Sequence, residues 1–209
     1  MKLQLAVGAI NDPCLVWRVT SCLEFSHGRW LEDEVLAIVG TSMTDSRRSW
    51  LIDSLQKHLV PAFEERGFEV VPLAGEEAKS RELQSAFPFG YLKRASERGI
   101  DLVEIQLDKR GAAKFRLNIG VAPEGGINHA IAGHIKQEDI RVHYLGRAFE
   151  ACSSPIFRRW FAVRRPWSGT PPTKKDYENL VADNLGLVRE VEDVLSDGIL
   201  GRHLRVVEW

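Results

Sequence analysis

Residues 100–121, IDLVEIQLDKRGAAKFRLNIGV, constrain the fold more than any other stretch of this chain. Phe115, Leu117, Ile119 and Val121 alternate with Lys114, Arg116, Asn118 and Gly120. Successive side chains of a strand point to opposite faces, so this segment reads as a strand with one apolar and one polar face. On the strand before it, Val103, Ile105 and Leu107 lie on one side, and Leu102, Glu104 and Gln106 on the other. Lys109-Arg110-Gly111 joins the two, and glycine supplies the positive φ that a short hairpin connection needs. A one-residue slip would turn Phe115, Leu117 and Ile119 into water, which specifies the register. The pattern predicts an antiparallel sheet with one face on a core. The other face carries Glu104, Gln106, Lys114, Arg116 and Asn118, and reads as solvated, with cross-strand charge pairs such as Glu104 with Arg116 or Lys114. The sharper reading of that face is a recognition surface.

Helical spacing brackets the hairpin. Thr44 and Asp45 are good N-caps for a helix over residues 45–66, in which Trp50, Leu51, Leu55, Leu59 and Phe63 recur at helical intervals. Pro61 lacks a backbone donor, so a kink or an early stop is expected near it, and Gly67 suits the position just past the helix end. Residues 68–73 and 91–95 read as strands, and 80–86 as one or two helical turns. Residues 122–139 read as loop with a short helix at INHAIAGHI, and 140–145 as a weakly alternating strand. Residues 157–165, FRRWFAVRR, read as a strand containing Trp160 and Phe161. Thr173 caps a long helix to Leu195, with Tyr177, Leu180, Val181, Leu187, Val188, Val191, Val194 and Leu195 on its apolar face and Gly186 interrupting it. A short tail runs to Trp209. The fold class expected is α+β: an antiparallel sheet centred on the hairpin, packed against an N-terminal and a long C-terminal helix.

A chain of 209 residues suits one domain, with or without an extension. Residues 1–42 show short alternating runs and no strong helix, whereas the segment after Met43 looks like a fresh beginning. The expectation is a single α+β domain over 43–209 and an N-terminal extension over 1–42 that comes from an over-long reading frame. The competing expectation is a genuine N-terminal hairpin packed on the sheet. The start faintly resembles a signal peptide, but its apolar core is short and Gln4 interrupts it.

The net charge of −1 gives no whole-protein argument for nucleic acid or membrane. Residues 1–42 hold three basic and five acidic side chains, so the remainder carries only about +1. No apolar run is long enough to span a bilayer. Cys14, Cys22 and Cys152 are odd in number and lack metal-like spacing, which points to free thiols, a reducing compartment and a cytoplasmic location. His129 and His134 stand five apart, not the three or four that put two ligands on one helix face, so no metal and no cofactor is expected. No G-x-S-x-G elbow occurs, and Cys152 is expected to be buried and inert. Gly120, Gly125 and Gly126 do not lead from a strand into a helix as a phosphate loop requires.

One cluster has a chemical reading. Arg158, Arg159, Arg164 and Arg165 interleave with Trp160, Phe161 and Trp167. Cations for phosphate and rings for base stacking are what single-stranded nucleic-acid binding uses. The plainer reading is an edge strand whose arginines stay in water while Trp160 and Phe161 pack below.

The first helix running into Glu64-Glu65-Arg66-Gly67-Phe68, then Val103-Glu104-Ile105-Gln106, then Phe115-Arg116-Leu117-Asn118-Ile119-Gly120, followed by the Trp160-Phe161 segment and the final helix, carry a resemblance. The chain resembles an uncharacterised bacterial family of small α+β proteins, domain of unknown function forty-three-oh-four, over about residues 44–209. That family implies no established activity, so no catalytic residue carries over. Polymorphic-toxin immunity proteins include many small α+β domains of this general kind. By that analogy of fold the expectation is a non-catalytic protein-binding or immunity-type bacterial protein. Interface cores favour Trp, Tyr and Arg, so the expected binding residues are Lys114, Arg116, Asn118, Arg158, Arg159, Trp160, Arg164 and Trp167. The alternative is a nucleic-acid-binding or nucleic-acid-processing protein using the Arg/Trp-rich strand, with a site near Arg116, Asn118, His143 and Arg159.

Overall fold

The computed structural model describes residues 46–130, 133–157, 159–164 and 169–208. The expectations for residues 1–42, the start at Met43, the caps Thr44 and Asp45, and the candidate residues Arg158 and Trp167 lie outside the described residues.

Helix α1 spans residues 46–64. Its apolar side buries Leu51, Leu55, Leu59, Val60 and Phe63, each worth roughly 1.5–3 kcal/mol once out of water. The helix neither stops nor breaks at Pro61. Residues Leu55–Leu59 form a wide π turn in which the Val60 N–H reaches back to the Leu55 carbonyl, and Val60–Glu64 then continues with Pro61 in its first turn. Pro61 has no N–H to give to the preceding turn, and the wide π turn falls just before that missing bond. Gly67, at φ +80°, ends the helix, with the Phe68 N–H bonded to the Phe63 carbonyl at 3.2 Å.

The chain then lays down β1 (Glu69–Val71), helix α2 (Arg81–Ala86) capped by the Ser80 side chain, β2 (Tyr91–Ser96), β3 (Gly99–Leu107) and β4 (Lys114–Pro123). The central hairpin pairs in the expected register: Val103 with Ile119, Ile105 with Leu117, and Leu107 with Phe115 on one face, Glu104 with Asn118 and Gln106 with Arg116 on the other. Two further long-range strands follow, β7 (Arg147–Ala151) and β9 (Leu204–Glu208), with the two-residue β8 (Phe161–Ala162) between them in sequence. Among the described residues seven strands form one antiparallel sheet, in the order β1-β2-β3-β4-β7-β9, with β8 also on β4.

Helices cover one face, as expected. The C-terminal helix is two helices, α3 (Lys174–Asp183) and α4 (Leu187–Ser196), with the break at Asn184 to Gly186. Thr173 is the N-cap of α3: its N–H donates to Asp176 Oδ2 at 2.7 Å, and its hydroxyl reaches the same oxygen at 2.8 Å. The main core joins α1, the hairpin, Phe161 of β8, Tyr177 and Val181 of α3, five residues of α4 and Leu204 of β9. Phe115 stacks on Phe161 with ring centroids 5.0 Å apart.

The second face corrects four expectations. It is not an open solvated surface, because residues 136–145 lie across part of it and close a smaller core of Leu102, Ala122, Ile140, Val142, Leu145 and Ala148. Residues 140–145 are not a strand. Two 3-10 turns, Gln137–Asp139 and Val142–Tyr144, aim Ile140, Val142 and Leu145 down at the sheet. INHAIAGHI is not a helix but a small hairpin, β5 (Ile127–His129) with β6 (Gly133–Ile135), entered through Gly125 and Gly126 at positive φ. Among the described residues, the strand expected over 157–165 reduces to Phe161–Ala162 and an isolated bridge between Ser154 and Arg159. The ladder of β8 to β4 ends where β4 begins, at Lys114 opposite Ala162.

Candidate polar network and cationic groove

The polar residues of β3, β4, β7 and β9 form a continuous chain of hydrogen bonds across the second face. Strand pairing sets Glu104 opposite Asn118, Asn118 opposite Glu150, and Glu150 opposite Arg205. Glu104 is 3% exposed. Its Oε1 accepts the Val142 N–H at 2.9 Å, and its Oε2 accepts from Asn118 Nδ2 at 3.2 Å. Asn118 also donates to Gln106 Oε1 at 3.1 Å, which accepts from Arg116 Nε at 2.8 Å. The expected pair of Glu104 with Arg116 or Lys114 is therefore not made. Arg116 instead bonds Glu150 at 3.0 Å, Arg205 bonds the other Glu150 oxygen at 2.5 Å, and Lys114 pairs with Asp108 at 2.9 Å.

Glu150 is 4% exposed, so two guanidiniums share one buried carboxylate. A buried charge needs such partners, because taking it from water without them costs several kcal/mol. Among the described residues no cation stands within ion-pair range of Glu104, and burial pushes its carboxyl above the ordinary value against the pull of the Val142 and Asn118 hydrogen bonds and of the more distant Arg141.

At the Arg116 end the network meets Trp160. The indole stands over the Arg116 guanidinium at 4.6 Å and over the Lys114 ammonium at 5.2 Å. Trp160, Lys114, Arg159, Arg164 and Phe157 line a groove of about 600 Å³. The Ser153 hydroxyl braces the loop, lying 3.0 Å from both the Arg159 and the Trp160 carbonyl oxygens as their donor. Arg159 sits over the Phe157 ring at 5.1 Å. Beside the groove Ile156 is 87% and Phe157 68% exposed.

The structure thus gathers Lys114, Arg116, Arg159, Trp160 and Arg164, while Asn118 is held inside the network. His143 is not brought to this group. It projects from the Val142–Tyr144 turn at the Glu104 end, 4.1 Å from the Tyr144 ring, and burial and Arg141 lower its pKa. Glu150 and Arg205 were absent from the expected set, because neither β7 nor β9 was recognised. The short alternation of Leu204, Arg205 and Val206 is the local signal β9 leaves, and β7, with Ala148 and Glu150 on one face, leaves none. Cys152 is buried, and burial together with Glu150 raises its thiol pKa, so it is a poor nucleophile.

Among the described residues no group of three or more His, Cys, Asp or Glu is placed to hold a metal ion, and no helix is long and apolar enough to cross a membrane. Comparison of the chain with family models, curated proteins and solved structures finds no match.

Proposed function

We propose that this is a non-catalytic, cytoplasmic binding protein whose ligand is another protein, engaged through the loop 153–164 and the groove beside it. The observation that carries this reading is the exposed pair Ile156 and Phe157 next to Arg159, Trp160 and Arg164. Contiguous exposed apolar side chains rimmed by cations and an anchored indole are the composition of an interface centre. The buried carboxylates Glu104 and Glu150 are committed to hydrogen bonds within the sheet, which supports a structural rather than a proton-transfer role for them. The family resemblance assigns no residue role, so the reading rests on this geometry.

Affinity capture from cells carrying the gene tests it. The expected result is a partner recovered in near-equal amount by the parent protein and lost with the double variant Ile156→Ala, Phe157→Ala at unchanged melting temperature. Equal recovery by both proteins would remove the loop from the interface. A second reading, single-stranded nucleic acid, draws on the rings of Trp160 and Phe157 beside Lys114 and Arg159. Filter binding of short RNA and DNA over a salt series tests that reading, and absent or salt-independent retention counts against it.

A further inference from the structure

A second recess, of about 250 Å³, adjoins the groove, and the two share Lys114, Ala162 and Val163 as a common wall. The second recess adds Arg47 and Tyr177. Together the two are lined by four cations, Arg47, Lys114, Arg159 and Arg164, and three rings, Phe157, Trp160 and Tyr177. Among the described residues no Asp or Glu lines either recess. Among the described residues, too, Lys114 alone of the four has a carboxylate within ion-pair range, Asp108. Among the described residues, a chain with nearly as many basic as acidic residues and a net charge of −1 thus gathers four cations in one place with a single carboxylate partner between them. Such a patch concentrates a negatively charged ligand and speeds its arrival.

Resting on the protein-binding reading, we infer that the partner presents an acidic segment, rich in Asp or Glu with an apolar residue among them, that lies across both recesses. Its carboxylates meet Arg159, Arg164 and Arg47, and its apolar residue meets Ile156 and Phe157. Arginine suits this, since its fork of donors binds a carboxylate through two parallel bonds. Two observations favour an acidic polypeptide over a nucleic acid. Ile156, 87% exposed at the rim, matches an apolar side chain and offers nothing to a phosphate. The rings of Trp160 and Phe157 already hold cations, Arg116 with Lys114 and Arg159 respectively, so a base would compete with them for those faces.

Fluorescence anisotropy on the whole chain tests the inference with three labelled probes: a short peptide of Glu with interspersed Leu, the same peptide with Gln for Glu, and a single-stranded thymidine oligonucleotide. The Glu peptide should bind, weaken as salt rises, and lose roughly tenfold or more in affinity to the double charge reversal Arg159→Glu, Arg164→Glu. Both arginines are exposed, so this variant should keep the parent melting temperature. The Gln peptide should bind far more weakly. Binding of the Gln peptide as tightly as the Glu peptide overturns the acidic specificity. Loss of that binding in the Ile156→Ala, Phe157→Ala variant would then leave the protein-binding reading standing. Binding of the oligonucleotide in preference to the Glu peptide overturns both. Absence of binding by all three probes overturns the inference, and the affinity capture above decides separately whether the loop is an interface.

Discussion

Glu150 is the residue whose loss the fold should feel most. Removing it leaves Arg116 and Arg205, 24% and 18% exposed in their side chains, without their shared counter-charge. Breaking a buried ion pair from one side typically costs about 3–5 kcal/mol. Glu150→Ala should lower the urea-unfolding free energy by that order, and a loss below about 1 kcal/mol would mean that water reaches both guanidiniums. Glu104 behaves in the opposite sense. Its folded pKa is raised above the ordinary 4.5, so ionisation disfavours the fold: its contribution to stability is complete below pH 4.5 and is lost as pH rises through the folded value. Glu104→Gln keeps an oxygen for the Val142 N–H and removes the charge. Relative to the parent, the variant should gain stability as pH rises from 4.5 through the folded value, and level off above it. Denaturation midpoints measured across that range check the sign, and a variant-minus-parent difference that falls with pH would refute it.

At the scale of elements, two joints decide how the layers sit. The first is the N-terminus of α3, where Thr173 and Asp176 satisfy each other. Thr173→Ala should cost about 1 kcal/mol, read as a fall in melting temperature without loss of far-UV ellipticity. The second is the contact between β4 and the segment 136–145. A Cβ at Gly120 would stand 2.3 Å from Leu145 Cδ1, the far end of a side chain that can move but has a packed core behind it. Gly120→Ala should destabilise by about 1–3 kcal/mol, as overpacking does. It should also speed hydrogen exchange at the Val142 amide, which is bonded to Glu104 beneath the same segment. Unchanged exchange there would show that Leu145 finds another rotamer without lifting the turn.

Across the whole molecule, one core takes residues from α1, six strands, α3 and α4, and an ion network ties them: Glu192 of α4 meets Arg66 just past the end of α1 at 2.9 Å and Arg94 of β2 at 3.4 Å, while Arg94 bonds Asp101 of β3 at 2.8 Å. Elements so interlocked should unfold together, and near- and far-UV circular dichroism transitions should coincide in urea. Separated transitions would mean that one layer melts alone. The order of layers was legible in the amino-acid sequence because its signals are local. Alternation over residues 114–121 set the faces and register of the hairpin, the recurrence of Leu51, Leu55, Leu59 and Phe63 set α1, and the Thr173 cap set α3. The features that the sequence alone left undecided depend on partners far along the chain. Strands β7 and β9 are only five residues each and are stabilised by pairing with one another and with β4, so neither shows a strong pattern of its own. Without them Glu150 and Arg205 had no place in the candidate site, and the polar face looked solvated when in fact the turns at 137–144 bury part of it. Residue type determined which groups seek water and which avoid it. Only the tertiary arrangement decided which polar groups are withdrawn from water and paired, because that depends on which distant segment lies over them.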